Sequence, residues 1–280
     1  LACILMFVDH IHQMFSTPAH PLMWATMLGR VVMPMFLFAF ADSFHYTKNR
    51  KKLISRLAIA TVVMGILNQV IENFVPTDVM LMNRAFGTFL IVTLWMWGWD
   101  LLVAGAKGIW AAINKSAVSE TSVVRSIVNV VIAAALFAAP FIASIPINLI
   151  MSGRWMPFEY GNIGIWIFRA INILPSTAMA EGGIVMLVLG LAFYILRRHL
   201  PLQILALAAA TGLVMWQSVS MGFGPFHDIQ WLMFFAFIPM IAYNGLKGRG
   251  MKNFFYIFYP AHIYFLYLLS AFTIGRAAIG

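Results

Sequence analysis

The sequence predicts an all-α, polytopic transmembrane helix bundle, and three observations carry that expectation. Hydrophobic residues fill 62% of the 280 positions. Charged residues fill only 10%, against about 25% in a soluble domain. The basic residues stand in short clusters between apolar runs, the pattern by which Lys and Arg hold loops on the cytoplasmic side. A chain this apolar has too few polar groups to cover a water-facing surface, so its solvent is the lipid bilayer. The same clustering excludes a nucleic-acid partner, although the net charge is +9.

A spanning helix needs roughly 20 mostly apolar residues. Nine segments meet that pattern: 1–16, 22–46, 53–74, 79–105, 122–150, 178–196, 202–220, 229–246 and 253–275. With nine spans, one set of alternate loops collects Lys48, Arg50, Lys51, Lys52 and Arg56, then Lys107, Lys115 and Arg125. Arg197 and Arg198 follow on that side, and then Lys247, Arg249 and Lys252. These are thirteen of the 18 basic residues. Their side should be cytoplasmic, which puts the N-terminus inside and the C-terminus outside; the expected location is the cytoplasmic (inner) membrane.

The stretch 151–176 mixes Arg154, Pro157, Glu159, Gly161, Asn162 and Pro175 with Trp155, Trp166 and Phe168. It reads as an interfacial or re-entrant segment, with a tenth span over about 160–176 as the alternative. No soluble domain, linker or repeat divides the chain, so residues 1–280 read as one domain. The first segment begins in mid-apolar run at Leu1, without Met or a basic flank, and reads as lacking its true start. Asp9 and His10 interrupt it and no small-residue cleavage site follows, which argues against a signal peptide. The one cysteine, Cys3, excludes an intrachain disulfide and a thiolate metal cluster.

Ionisable residues inside spans are the most informative, because each costs at least ~2.5–3.5 kcal/mol to insert and so faces a cavity or a partner. The first segment carries Asp9, His10, His12 and Gln13. Asp9 shares a helical face with His12 and Gln13, whereas His10 points about 100° away around the axis. A histidine there can act as a general base; a helix end fraying into water is the plainer reading.

In the second segment Arg30 lies within the apolar run. Pro34 follows one turn later, removing a backbone donor and crowding the Arg30 carbonyl. Arg30 can pair with Asp9 or bind an anionic group such as a phosphate. Asp42, His45 and Tyr46 suit a solvated helix end. Asn68, Gln69 and Glu72 line up towards the outer end of the third segment. Arg84 and Asp100 sit near the two ends of the fourth, where snorkelling explains them, and Glu181 begins the sixth. His227 and Asp228 follow Gly222-Phe223-Gly224-Pro225-Phe226, a turn or the rim of a site. In the last segment, His262 stands two residues after Pro260 in an otherwise apolar, aromatic span. It is either a buried hydrogen-bonded histidine or part of a site. The chain has no Gly-rich phosphate loop, no His-Glu-x-x-His metal motif and no Gly-x-Ser-x-Gly elbow, so no resident metal is expected.

Three patches carry a resemblance: Leu5-Met6-Phe7-Val8-Asp9-His10-Ile11 through Phe15; Gly29-Arg30 with Met33-Pro34-Met35-Phe36 and a basic loop ending in Arg56-Leu57; and Phe258-Tyr259-Pro260-Ala261-His262. Together they resemble the TraX family, whose named member acetylates conjugative pilin. The resemblance covers roughly the first 70 and last 30 residues. It implies a membrane acyltransferase that moves an acetyl group from acetyl-CoA to a pilin N-terminus or to a glycan or lipid hydroxyl. It also implies roles: His10 as base or as relay of the acetyl group, Asp9 orienting the site, His262 as second acid/base or as binder of the acceptor, and Arg30 neutralising a CoA phosphate or an oxyanion. Lys52 and Arg56, in the basic loop Lys48–Arg56, dock the phosphates of CoA. The rival readings are a proton-coupled transporter, because buried charges and kinked helices also mark transport paths, and a haem protein with facing histidines.

Overall fold

A computed structural model of the chain describes residues 1–17, 21–81, 83–114, 120–224, 226–246 and 252–274. Lys115, Pro225, Lys247 and Arg249, expected in loops, lie outside the described residues. Among those described, every regular element is helical. The helices are α1 (Ala2–Phe15), α2 (Met23–Gly29), α3 (Val32–His45), α4 (Arg50–Phe74), α5 (Ala85–Ile113) and α6 (Glu120–Ile142). They continue with α7 (Ile145–Met151), α8 (Gly161–Ile173), α9 (Gly183–Ile195), α10 (Leu200–Ser220), α11 (Phe237–Ile241) and α12 (Lys252–Thr273). Short 3₁₀ helices occupy Pro157–Tyr160, Thr177–Met179 and Ile229–Ala236.

Among the described residues, six helical stretches are long and apolar enough to cross a membrane: Met23–His45, Arg50–Phe74, Ala85–Ile113, Glu120–Met151, Leu200–Ser220 and Phe254–Thr273. The chain is a multi-pass helical membrane protein. Of the nine expected spans, six meet this criterion among the described residues; Ala2–Phe15, Gly183–Ile195 and Ile229–Ile241 are shorter apolar helices. In the 151–176 stretch, α8 has 13 residues, about 20 Å at ~1.5 Å per residue, too short to cross the ~30 Å hydrocarbon core as the alternative tenth span.

Local chemistry explains where the helices start and break. The Asn49 side chain accepts from the Lys52 N–H at 2.9 Å and starts α4, the usual service of an N-cap asparagine. Pro201 falls in the first turn of α10, where its missing N–H is harmless. The break between α2 and α3 lies at Arg30–Val31, one turn before Pro34. That is where a proline acts, because the Arg30 carbonyl has no N–H to receive.

The helices form two compact units. The first comprises Leu1–His45, Ile66–Asn83 and the chain from Ala192 on. In it, α1 packs against α2, α3 and α12. Met6, His10 and Met14 are the buried residues of α1, one turn apart on a single face. On α12 the buried stripe runs through Tyr259, His262, Ile263, Leu266, Tyr267 and Ser270, a helical spacing of three and four. Both histidines therefore sit on the packed faces of their helices.

The second unit comprises Tyr46–Gly65 and Arg84–Leu191, and is built on the pairing of α5 with α6. Lipid offers no hydrophobic drive between helices, so close approach at small residues supplies the packing. A Cβ at Gly105 would stand 2.7 Å from the Ser126 carbonyl oxygen and 2.7 Å from Val130, and one at Gly108 would overlap Ser126. Further along, Trp95 stacks on Phe141. Arg84, Asp100 and Glu181 find partners within this unit. Asp100 pairs with Arg50 at 2.5 Å. The Arg84 backbone N–H donates to Glu181, its guanidinium reaches Asn172 at 3.2 Å, and the Glu181 N–H donates to Thr88 at 2.8 Å.

Candidate functional site

The centre of the first unit holds two buried histidines from opposite ends of the chain. His10 Nδ1 lies 2.7 Å from His262 Nε2. The other nitrogen of His262, Nδ1, lies 2.5 Å from the Phe258 carbonyl oxygen. The other nitrogen of His10, Nε2, lies 2.9 Å from Asn83 Nδ2. Aromatic rings wall the pair. Phe258 stacks on His262 at 4.6 Å, Phe7 tilts towards it at 6.0 Å, and Tyr259 meets His10 edge-on at 6.1 Å.

The partners fix the protons. A carbonyl only accepts, so His262 carries its proton on Nδ1. In a neutral ring its Nε2 must then accept, which makes His10 the donor through Nδ1. His10 Nε2 accepts in turn, and Asn83 supplies the N–H. The second N–H of Asn83 goes to Gln13 Oε1 at 3.0 Å. The result is one directed chain, Asn83 to His10 to His262 to the Phe258 carbonyl, in which both imidazoles are neutral and both nitrogens of each are engaged.

The residues that brace this chain belong to the same unit. Asn68 Nδ2 donates to the Leu81 carbonyl at 2.9 Å, and Glu72 accepts the Leu81 N–H at 2.5 Å. Leu81 is two residues before Asn83, so α4 sets the height of the loop that delivers the amide. From α12, Tyr264 donates to Asn68 at 2.8 Å and Tyr267 donates to the Val75 carbonyl at 2.8 Å. The helix that carries His262 thus also ties down the loop that carries Asn83.

Asp9, one residue from His10, faces a second cluster. Arg30 Nη2 reaches Asp9 Oδ1 at 3.4 Å. Its other bonds go to the Thr26 carbonyl at 3.1 Å through Nε, to Thr26 Oγ1 at 2.6 Å and to Gln230 Oε1 at 3.1 Å through Nη1. The Thr26 side chain also hydrogen-bonds Asp9. Pair and cluster are distinct: Asp9 has Arg30, and His10 has His262. Gly29 makes the approach possible, because a Cβ there would overlap the Asp9 carboxylate.

Other polar residues take structural partners. His12 Nδ1 meets the Leu22 carbonyl at 2.9 Å and closes the turn between α1 and α2. Tyr243 donates to Asp42 at 3.0 Å. Asp228 caps the 3₁₀ helix that carries Gln230, accepting the Gln230 N–H at 2.9 Å, and His227 stacks on Phe223. Lys52 and Arg56 are exposed on the first turns of α4, in the second unit, and are not among the partners of either histidine.

Sequence reasoning paired Arg30 with Asp9 but did not single out Asn83, Thr26 or Gln230. Thr26 had a readable signal, since it precedes Arg30 by four residues on one helical face. Asn83 and Gln230 reach their partners across 73 and 200 positions, a relation that local spacing does not encode.

Fold and site together define a class: a polytopic helical membrane protein with a buried imidazole pair and an ion-paired arginine among its helices. Within that class the family can be stated. The family model described as TraX protein matches residues 1–141 and 108–270, and the chain belongs to that family. No curated protein and no solved structure matches it.

Proposed function

We propose that this chain is a membrane-embedded acyltransferase of the cytoplasmic membrane. It would move an acetyl group from acetyl-CoA to an envelope acceptor, a pilin N-terminal amine or a glycan or lipid hydroxyl. The carrying observation is the hydrogen bond between His10 and His262, 2.7 Å long and walled by aromatic rings. Membership of the TraX family supports the choice of chemistry.

The pair suits proton transfer in both halves of an acyl transfer. The acceptor O–H or N–H gives its proton to His10 Nε2 as its oxygen or nitrogen forms a bond to the acetyl carbonyl carbon. His10 passes its Nδ1 proton to His262 Nε2 and ends neutral, leaving the positive charge on His262. When the C–S bond breaks, the proton returns along the same path to the CoA sulfur. The products are the acetylated acceptor and CoA thiol, with no proton gained or lost. Such acid–base assistance contributes ~10²–10⁴-fold. Asp9 and Arg30 set the end of α2 beside α1. Among the described residues one Nη1 hydrogen of Arg30 has no partner, so it can meet the developing oxyanion or a phosphate oxygen. Lys52 and Arg56 offer exposed positive charge to the CoA phosphates.

The experiment is acceptor labelling from labelled acetyl-CoA in membranes carrying the wild type, His10→Ala or His262→Ala. Each variant should lose at least ~100-fold in rate. Undiminished labelling by both would refute the proposal.

A further inference from the structure

Asn83 lies in the loop before α5 and holds the one nitrogen of His10 that His262 leaves over. We infer that Asn83 is a positioning residue that secures the His10 tautomer selected by His262, by satisfying its bare nitrogen, and thereby the direction of proton transfer through the pair. The role rests on the acid–base reading of that pair given above.

The argument is one of hydrogen-bond polarity. The Phe258 carbonyl forces the proton of His262 onto Nδ1. His262 Nε2 can then hold a 2.7 Å contact to His10 Nδ1 only if His10 is protonated there. An isolated imidazole has no such obligation, because either tautomer is open to it. Asn83 reinforces the tautomer that His262 demands, presenting an N–H to the bare Nε2 at 2.9 Å. Its amide orientation is fixed by Gln13, which takes the other N–H at 3.0 Å and returns an N–H to Asn83 Oδ1 at 3.5 Å. If His10 carried its proton on Nε2, two lone pairs would face one another across 2.7 Å, or one ring would have to charge in apolar surroundings. Buried polar chains of this kind are stable only when every member is satisfied.

The placement of Asn83 is itself enforced. Asn68 and Glu72 hold both backbone groups of Leu81, and Tyr264 and Tyr267 tie α4 and the loop to α12. The amide therefore follows the helix that carries His262, which preserves its register with the pair.

The test is nitrogen-15 NMR of the full chain in lipid nanodiscs with labelled histidine. The 7 histidines are resolved by the signals that vanish in His10→Gln and His262→Gln. In the wild type both rings should show a protonated Nδ1 and a bare Nε2. Asn83→Leu removes the donor; the bare Nε2 of His10 should then shift to the position of an unbonded nitrogen and the Nδ1-protonated fraction of His10 should fall, while kcat for acetyl transfer drops at least ~10-fold and the KM for acetyl-CoA holds. A wild-type spectrum with His10 protonated on Nε2 would overturn the inference without any variant, and so would an unchanged His10 spectrum in Asn83→Leu. The acyltransferase reading fails separately. If the tautomers are as stated but His10→Ala and His262→Ala transfer acetyl normally, the pair is ordered as described and serves another reaction.

Discussion

Replacing Gly29 with alanine should destabilise the protein, and the sign of the effect is diagnostic. Gly29 closes α2, and its φ is not among the positive ones, so alanine meets no backbone strain there. On helix propensity alone, alanine would stabilise by up to about 1 kcal/mol. The structure opposes that gain. The new methyl would occupy the space of the Asp9 side chain, overlapping its carboxylate. Forcing an extra carbon into a packed contact costs typically ~1–3 kcal/mol. Moving Asp9 away also stretches the 3.4 Å contact to Arg30, a charged hydrogen bond whose loss costs about 1.5–3 kcal/mol. The net expectation is a loss of about 1.5–5 kcal/mol after the propensity term is subtracted. At roughly 2–4 °C per kcal/mol for a chain of this size class, the midpoint should fall by about 3–20 °C. The assay is thermal unfolding of the purified protein in mild detergent, followed by tryptophan fluorescence and by monodispersity after heating. An unchanged or raised midpoint would mean that α1 and α2 do not meet at Asp9, and the ion-pair cluster would fall with that contact.

Two further perturbations test the packing that frames the site. Arg30→Met should cost about 1.5–3 kcal/mol, because it deprives Asp9, Thr26 and Gln230 of one shared donor; adding Asp9→Asn should restore part of the loss by removing the orphaned carboxylate. A double-mutant cycle on the same melts should give a coupling of at least ~0.5 kcal/mol, and strict additivity would refute the pairing. In the second unit, Gly105→Val would press its side chain on the Ser126 carbonyl and on Val130, so a midpoint drop matching ~1–3 kcal/mol is expected; a neutral result would place the α5–α6 contact elsewhere.

Much of the fold was legible because membrane insertion imposes a coarse rule. Long apolar runs must be helical to satisfy their backbone, and five of the six long stretches fall within or around expected segments, while Ala85–Ile113 is displaced towards the C-terminus of the expected 79–105. The rule reads length less well than type. The segment at 229–246 looked like a span from composition, yet the structure divides it into a 3₁₀ helix and the short α11. The break at Arg30–Val31 was readable from Pro34, because a missing N–H acts at a fixed distance of four residues. The Asp9–Arg30 pair was readable because two opposite charges in neighbouring apolar segments have few other partners. The partners of His10 were not. Sequence places His10 on a helix face, but only the packing of α1 on α12 decides that the face meets His262, and only the loop braced by α4 brings in Asn83.

The orientation of the pair sets a condition on its chemistry. In the neutral chain His10 Nε2 already accepts the Asn83 amide, so no lone pair stands open to a reactant. An acceptor must replace that amide, and it can do so only with a donor of its own. Hydroxyls and amines both qualify, since each offers an O–H or N–H to the vacated nitrogen and each is a nucleophile at the same atom. A group without such a proton would break one hydrogen bond and return none, leaving a buried acceptor unsatisfied at about 1–3 kcal/mol.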